Sequence, residues 1–243
     1  MNPSLPTLSI IIPAYNEEAT LYTLLEKVYE AGLPEGINKE IIVINDASSD
    51  GTAGELDRFR SEYDPSRLQY FEQPINEGKG AAIHMGIELA KGDYLIVQDA
   101  DLEYDPQEFS RLIQPALDGF ADVVYGSRFM GGYAHRMLFF WHSIGNQVLT
   151  TLSNMLCNLN LSDMETCYKL IRADIAKSLN LKEKRFGFEP EVTAKLSRVP
   201  KIRIYEVGIS YYGRTYEEGK KIGWRDGFRT IYCILKYNLW AKN

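Results

Sequence analysis

Two uninterrupted apolar runs constrain this chain more than any other feature. Residues 8–13 read LSIIIP and residues 40–45 read EIIVIN. Neither alternates polar with apolar, so each suits a strand buried on both faces. Between them Leu21, Leu24, Leu25 and Val28 repeat at helical spacing, and Gly32-Leu33-Pro34 stops the helix. Asn16 stands where it would cap that helix, with Glu17 and Glu18 in the first turn. Further strands are expected at 68–72, 93–98 and 121–125. The intervening helices run to about 62, follow Gly78-Lys79-Gly80, and extend from Pro106 to about 117. This alternation predicts an α/β domain with a mainly parallel sheet. The second half is less regular. It reads as helices at 141–159 and 189–198, strands at 166–171 and 202–212, and an amphipathic terminal helix at 223–240.

A chain of 243 residues, 45% hydrophobic and 25% charged, can bury a full core without disulfides. We expect one domain over 1–212, extended by a basic loop and helix over 213–243. No stretch approaches the ~18–20 apolar residues that span a bilayer. The first residues lack a basic, then apolar, then small-residue pattern, so no secretion signal is expected. Cys157, Cys167 and Cys233 form no C-x-x-C pair, which suggests reduced thiols and a cytoplasmic location. Net charge is −6, but residues 201–243 alone carry +5, leaving −11 on the rest. A basic end on an acidic body suits an anionic partner, although on charge alone a solvated surface is the simpler account. Nucleic acid is disfavoured because the basic stretch is short.

In parallel sheets ligands bind beyond the carboxyl ends of the strands. Here those ends carry Pro13-Ala-Tyr-Asn-Glu17, Asn45-Asp-Ala-Ser-Ser-Asp-Gly51, Asp99-Ala-Asp-Leu-Glu103 and Gly126-Ser-Arg128. Asp99, Asp101 and Glu103 are the sharpest set. Clustered carboxylates repel, and a hard divalent cation, Mg²⁺ or Mn²⁺, relieves that repulsion while bridging phosphate oxygens. A bare acidic turn would read the same way in isolation. Asp46 could accept hydrogen bonds from a base or ribose, while Asp50 suits a helix cap. Gly78 and Gly80 would let backbone approach a ligand, with Lys79 near phosphate. The final Ser or Thr of a P-loop is missing. His84 reads as structural. Arg136, in a glycine-rich stretch, could join Arg128 on a phosphate.

PAYNEE, INDASSDGT, NEGKGAA, DADLEYDP and GSR, in this order and spacing, resemble the inverting family-2 glycosyltransferases of GT-A fold. Thr166-Cys-Tyr-Lys169, Phe186-Gly-Phe-Glu-Pro-Glu191, Tyr212-Gly-Arg214 and Glu218-Gly-Lys-Lys221 narrow the likeness to the dolichol- and polyprenyl-phosphate mannosyltransferases. The resemblance implies that Pro13, Tyr15, Glu17 and Asp46 meet the nucleotide of a nucleotide-sugar donor. It places a metal, on the donor diphosphate, on Asp99, Asp101 and Glu103. Relatives often carry Gln where Glu103 stands. Arg128 and Arg136 would bind a lipid phosphate, with Arg214 and Lys221 over the reacting phosphates. GDP-mannose and UDP-glucose are the expected donor types. Many relatives end in membrane-spanning helices. A chain without them would touch the membrane surface itself, through the terminal helix and residues 137–141, or dock on a membrane partner protein.

Three other readings stand beside this one. A family-2 enzyme acting on a sugar hydroxyl would need a general base, for which Asp163 and Glu165 are candidates. A sugar nucleotidyltransferase would need a glycine- and arginine-rich loop after the first strand. A non-catalytic sensor would be marked by a broken D-x-D, and here it is intact.

Overall fold

The computed structural model describes residues 5–131, 136–137, 139–214 and 224–241. Its elements are β1 (Thr7–Ala14), α1 (Leu21–Glu30), β2 (Asn38–Asn45), α2 (Thr52–Glu62), β3 (Leu68–Glu72), α3 (Lys79–Leu89), β4 (Tyr94–Val97) and α4 (Phe109–Leu117). There follow β5 (Val123–Ser127), α5 (Phe140–Cys157), β6 (Lys169–Arg172), α6 (Ala173–Ser178), α7 (Phe188–Leu196), β7 (Ile204–Gly208) and α8 (Trp224–Leu235). A wider π-helical stretch, Lys236–Trp240, continues α8.

The seven strands lie in the order β3-β2-β1-β4-β6-β5-β7. All run parallel except β6, which is antiparallel to both β4 and β5. The apolar runs occupy the centre as their composition requires. Leu8, Ile10, Ile11, Ile12, Ile41, Ile42, Val43 and Ile44 are fully buried, with helices on both faces. The chain winds from β1 outward to β2 and β3, then returns to place β4 on the other side of β1. The crevice beyond the carboxyl ends of β1 and β4 is therefore the topological switch point of the sheet. Because β6 is reversed, the residues just before it, 163–168, enter the sheet at that same edge.

Backbone strain marks this edge. Asn16 after β1, Ala47 after β2 and Leu102 after β4 have φ of 54°, 55° and 63°. Left-handed backbone is uncommon for alanine and leucine and gathers where surrounding structure enforces it.

Several local expectations change. Asn16 does not cap α1, which begins at Leu21 behind Thr20. Its amide oxygen instead accepts from the Ser49 backbone N–H at 2.9 Å, tying the β1 loop to the β2 loop. Gly78 and Gly80 make their close approach to the chain itself. A Cβ on them would stand 2.6 Å from the Lys184 carbonyl oxygen and 2.2 Å from that of Glu183. The terminal helix buries Thr230, Cys233 and Ile234, with Tyr237 of the next turn, against α5 and α7. Phe228 and Leu239, apolar residues of the expected amphipathic helix, stay exposed. Residues 106–108 form a short 3₁₀ turn before α4, and α6 is an element that periodicity did not show.

Candidate active site

The loops after β1, β2 and β4 are built on one another. Asp46 directly follows β2 and lies in the interior, 2% exposed. Its carboxylate accepts from Gln73 Nε2, the Glu77 N–H and the Gly78 N–H, each at 2.8 Å. These bonds are all internal and fix the loop that starts α3. Lys79, the first residue of α3, then reaches Asp99 at the end of β4, with Nζ 2.6 and 2.9 Å from its two oxygens. Burial opposes charge on Lys79, yet Asp99 holds it protonated well above the ordinary lysine range. On the other side of the crevice Pro13 is buried, Tyr15 is 42% exposed, and the Glu17 N–H donates to Thr52 Oγ1 at 2.9 Å.

Asp101 and Glu103 face the segment after β7. Arg214 places NH2 2.9 Å from Asp101 Oδ2 and Nε 3.2 Å from Glu103 Oε1. The Tyr211 hydroxyl donates to the other Glu103 oxygen at 2.6 Å. Burial, with repulsion from Asp99 and Glu103, pushes the Asp101 carboxyl up to about 7. Hard oxygens crowded against their own charge suit a divalent cation, and Mg²⁺ or Mn²⁺ needs only one or two protein carboxylates beside substrate phosphates. Asp99 and Asp101 fit that demand. All three carboxylates accept from protein donors: Asp99 from Lys79, Asp101 from Arg214 and the Glu103 N–H, and Glu103 from Arg214 and Tyr211. Among the described residues no three His, Cys, Asp or Glu side chains converge into a cage.

Tyr211 also joins this side to the arginines expected to hold an acceptor. Its ring lies 5.2 Å from the Arg128 guanidinium, and its carbonyl accepts from the Arg136 N–H at 2.9 Å. Arg136 NH1 donates to the Gly213 carbonyl at 2.9 Å. Arg128 is gripped by Asp163, which is wholly buried, through bonds of 2.6 and 2.7 Å. Burial penalises Arg128, but Asp163 keeps it firmly charged. Lys169, at the start of β6, is buried against the Glu189 carboxylate and the Thr166 carbonyl.

The structure thus brings Lys79, Asp99, Asp101, Glu103, Arg128, Arg136 and Arg214 to one sheet edge. Lys221 lies outside the described residues. Sequence reading missed Tyr211 and the Lys169–Glu189 pair. The doublet Tyr211-Tyr212 just before Arg214 was the available signal for the first. A lysine opening a strand of otherwise apolar register was the signal for the second.

Residues 9–179 match the family model described as "Glycosyl transferase family 2". The undecaprenyl-phosphate mannosyltransferase of Micrococcus luteus is 31% identical over 244 residues, covering 96% of this chain and 94% of the relative. The undecaprenyl-phosphate 4-deoxy-4-formamido-L-arabinose transferase of Aeromonas hydrophila is 31% identical over 219 residues, 90% of this chain. This chain spans only 64% of that relative's length. The fold is shared with glucosyl-3-phosphoglycerate synthase from Mycobacterium tuberculosis, solved with Mn²⁺, UDP and phosphoglyceric acid. The TM-score is 0.70 at 17% identity, covering 95% of this chain and 78% of that one. The expected GT-A arrangement is the one found.

Proposed function

The chain belongs to the glycosyl transferase family 2, and from that premise we propose that it transfers a sugar from a nucleoside diphosphate to the phosphate of a polyprenyl lipid. One observation carries the reading. The Tyr211–Arg214 segment ties the Arg128 and Arg136 cluster to the carboxylates after β4, so cations for two anionic substrates share one frame. The relatives' names support a polyprenyl-phosphate acceptor and a donor of the GDP-mannose or UDP-glucose type.

In this reading Pro13, Tyr15 and Glu17 line the nucleotide end, and Asp46 holds the loop that presents Lys79. When bound on Asp99 and Asp101, Mg²⁺ or Mn²⁺ would neutralise charge growing on the departing diphosphate. Lys79, Arg214 and Lys221 supply fixed positive charge on the same side. A phosphate monoester has a second pKa near 6, so the acceptor arrives ionised and needs positioning rather than deprotonation. Arg128 and Arg136 position it, and Asp163 orients the Arg128 fork. Attack at the anomeric carbon opposite the leaving group inverts the configuration there. A sugar-hydroxyl acceptor remains the second reading, on one observation. Burial and Glu189 push the Glu165 carboxyl up to about 7, in the range of a general base.

The lipid tail has a place to go. Met137, Phe140 and Trp141, just after Arg136, are 84%, 67% and 78% exposed. Val148 and Met155 further along α5 are exposed too, as are Phe228 and Tyr232 on the adjoining α8. Among the described residues no helix is long and apolar enough to cross a membrane. Aromatic and basic side chains on surface helices suit an interfacial position on the membrane holding the lipid.

The test is transfer itself. The protein is incubated with Mg²⁺ or Mn²⁺, short polyprenyl phosphate and a panel of radiolabelled nucleotide sugars, and label is counted in organic extract. EDTA-sensitive label from one donor is expected. No label from any donor, with nucleotide-sugar binding intact, overturns the lipid-phosphate acceptor.

A further inference from the structure

Two buried oxygens in the segment before β6 stand out. Glu165 Oε1 and Thr166 Oγ1 are shut from solvent, and among the described residues neither finds a hydrogen-bond partner. Thr166 is 0% exposed. Buried polar atoms are nearly always paired, so two orphans on consecutive residues call for a ligand or an ordered water. Their surroundings are polar. Glu165 lies within the electrostatic reach of Glu189, Lys169, Arg128 and Asp163. Glu189 in turn feels Lys169, Lys79 and Asp99. Glu189 pairs with Lys169 at the start of β6, and Glu165 lies two residues after Asp163, the partner of Arg128, so both belong to the edge where 163–168 enter the sheet. Asp163 and Lys169 are each committed to an ionic partner, whereas Glu165 has none at hydrogen-bond distance.

We propose that Glu165, with Thr166 and Glu189 beside it, binds hydroxyl groups of the donor's sugar and thereby selects which sugar is transferred. The inference rests on the transferase reading and adds the residues that read the sugar. A carboxylate accepts hydrogen bonds from two hydroxyls, and the Thr166 hydroxyl both donates and accepts. The span between the diphosphate-facing and acceptor-facing cations is where a sugar in transit has to lie. A site built to pair hydroxyls discriminates strongly, because a sugar without the matching hydroxyl leaves a buried group unpaired. Lys169 holds Glu189 in place from beneath, so Glu189 is the structurally committed member and Glu165 the adaptable one.

The test compares Glu165→Gln with the unaltered protein in calorimetric titrations in Mn²⁺. The probes are GDP and UDP, then GDP-mannose and UDP-glucose. The substitution keeps the size of the side chain and removes its ionisation, so the melting temperature is expected to hold or rise. Affinity for the nucleoside diphosphate is expected to stay within about twofold, while affinity for the matching nucleotide sugar falls at least about tenfold. Thr166→Val is expected to give a smaller loss of the same kind. Unchanged nucleotide-sugar affinity in Glu165→Gln overturns the proposal, and so does an equal loss for diphosphate and nucleotide sugar. A fall in kcat alone, with affinity kept, overturns it in favour of a proton-abstracting Glu165. If the unaltered protein binds no nucleotide at all, the transferase reading fails and takes this inference with it.

Discussion

Arg128 and Asp163 meet through two side-chain bonds of 2.6 and 2.7 Å, and Asp163 has no exposed surface at all. The pair joins the end of β5 to the loop before β6. Removing one member of a buried ion pair strands the other without compensation. Asp163→Ala is therefore expected to lower unfolding free energy by about 3–5 kcal/mol. Urea denaturation measures this, and a loss under 1 kcal/mol would contradict the burial argument.

Arg214 bridges two carboxylates that would otherwise repel, and its fork geometry cannot be copied by an ammonium group. Arg214→Ala is expected to cut kcat/KM for sugar transfer by about 10²–10³, the usual cost of one electrostatic donor in an active site. Arg214→Lys is expected to fall between the two. Initial rates at saturating and limiting acceptor check this, and an unaffected kcat/KM would remove Arg214 from the reaction.

Glu183 governs how the C-terminal helix responds to acid. Burial pushes its carboxyl up, but bonds from Lys236, Arg229 and Tyr237 outweigh that and hold it at about 2. A depressed folded-state value stabilises the protein above the unfolded value of about 4.5. That contribution is lost as pH falls from about 4.5 toward 2. Melting temperatures of the unaltered protein and Glu183→Gln are expected to differ most near pH 6 and to converge below pH 4. A pH-independent gap would show that charge plays no part.

Gly80 touches the Glu183 carbonyl so closely that any Cβ collides with backbone. Gly80→Ala is expected to destabilise by about 1–3 kcal/mol, the scale of overpacking, or roughly 2–12 °C in melting temperature at this chain length. Thermal unfolding decides the matter.

Phe140 and Trp141 lie on the surface and touch each other edge to face at 5.1 Å. Replacing both by Ser is expected to abolish flotation with anionic lipid vesicles while leaving the melting temperature within about 2 °C, as for other surface changes. Truncation after Gly223 would be a poor substitute, since it strips Cys233, Ile234 and Tyr237 from the interior. Retained flotation of the double variant would place membrane contact elsewhere.

The parallel half of the fold was legible because buried central strands write themselves as apolar runs, as 8–13 and 40–45 do. The D-x-D was legible because acidic residues directly after a buried strand have few structural reasons to be there. The reversed strand β6 was not. Strand direction is decided by which neighbours are left to pair, and Lys169–Arg172 carries no local mark of it. The bond of 2.8 Å from the Gly78 N–H to Asp46 was not legible either. A carboxylate beside a glycine loop looks the same in sequence whichever partner it serves. Glu165 and Thr166 stood out only once burial and missing partners could be seen.

The reversal of β6 also sets the order in which the molecule can be completed. β4 and β5 are made from residues 94–127, yet they do not pair with each other; the strand between them comes from residues 169–172. Until those later residues arrive, β4 has an unfilled edge and β5 has nothing to join it to the rest of the sheet. The β3-β2-β1-β4 half closes through nearby segments, whereas the other half waits on distant ones, a slower search. A ribosome-bound chain ending before residue 169 would hold the loops after β1, β2 and β4 on an open sheet, with an apolar edge ready to pair with a neighbour. Closing that gap and seating Asp163 on Arg128 are a single event in the life of this protein.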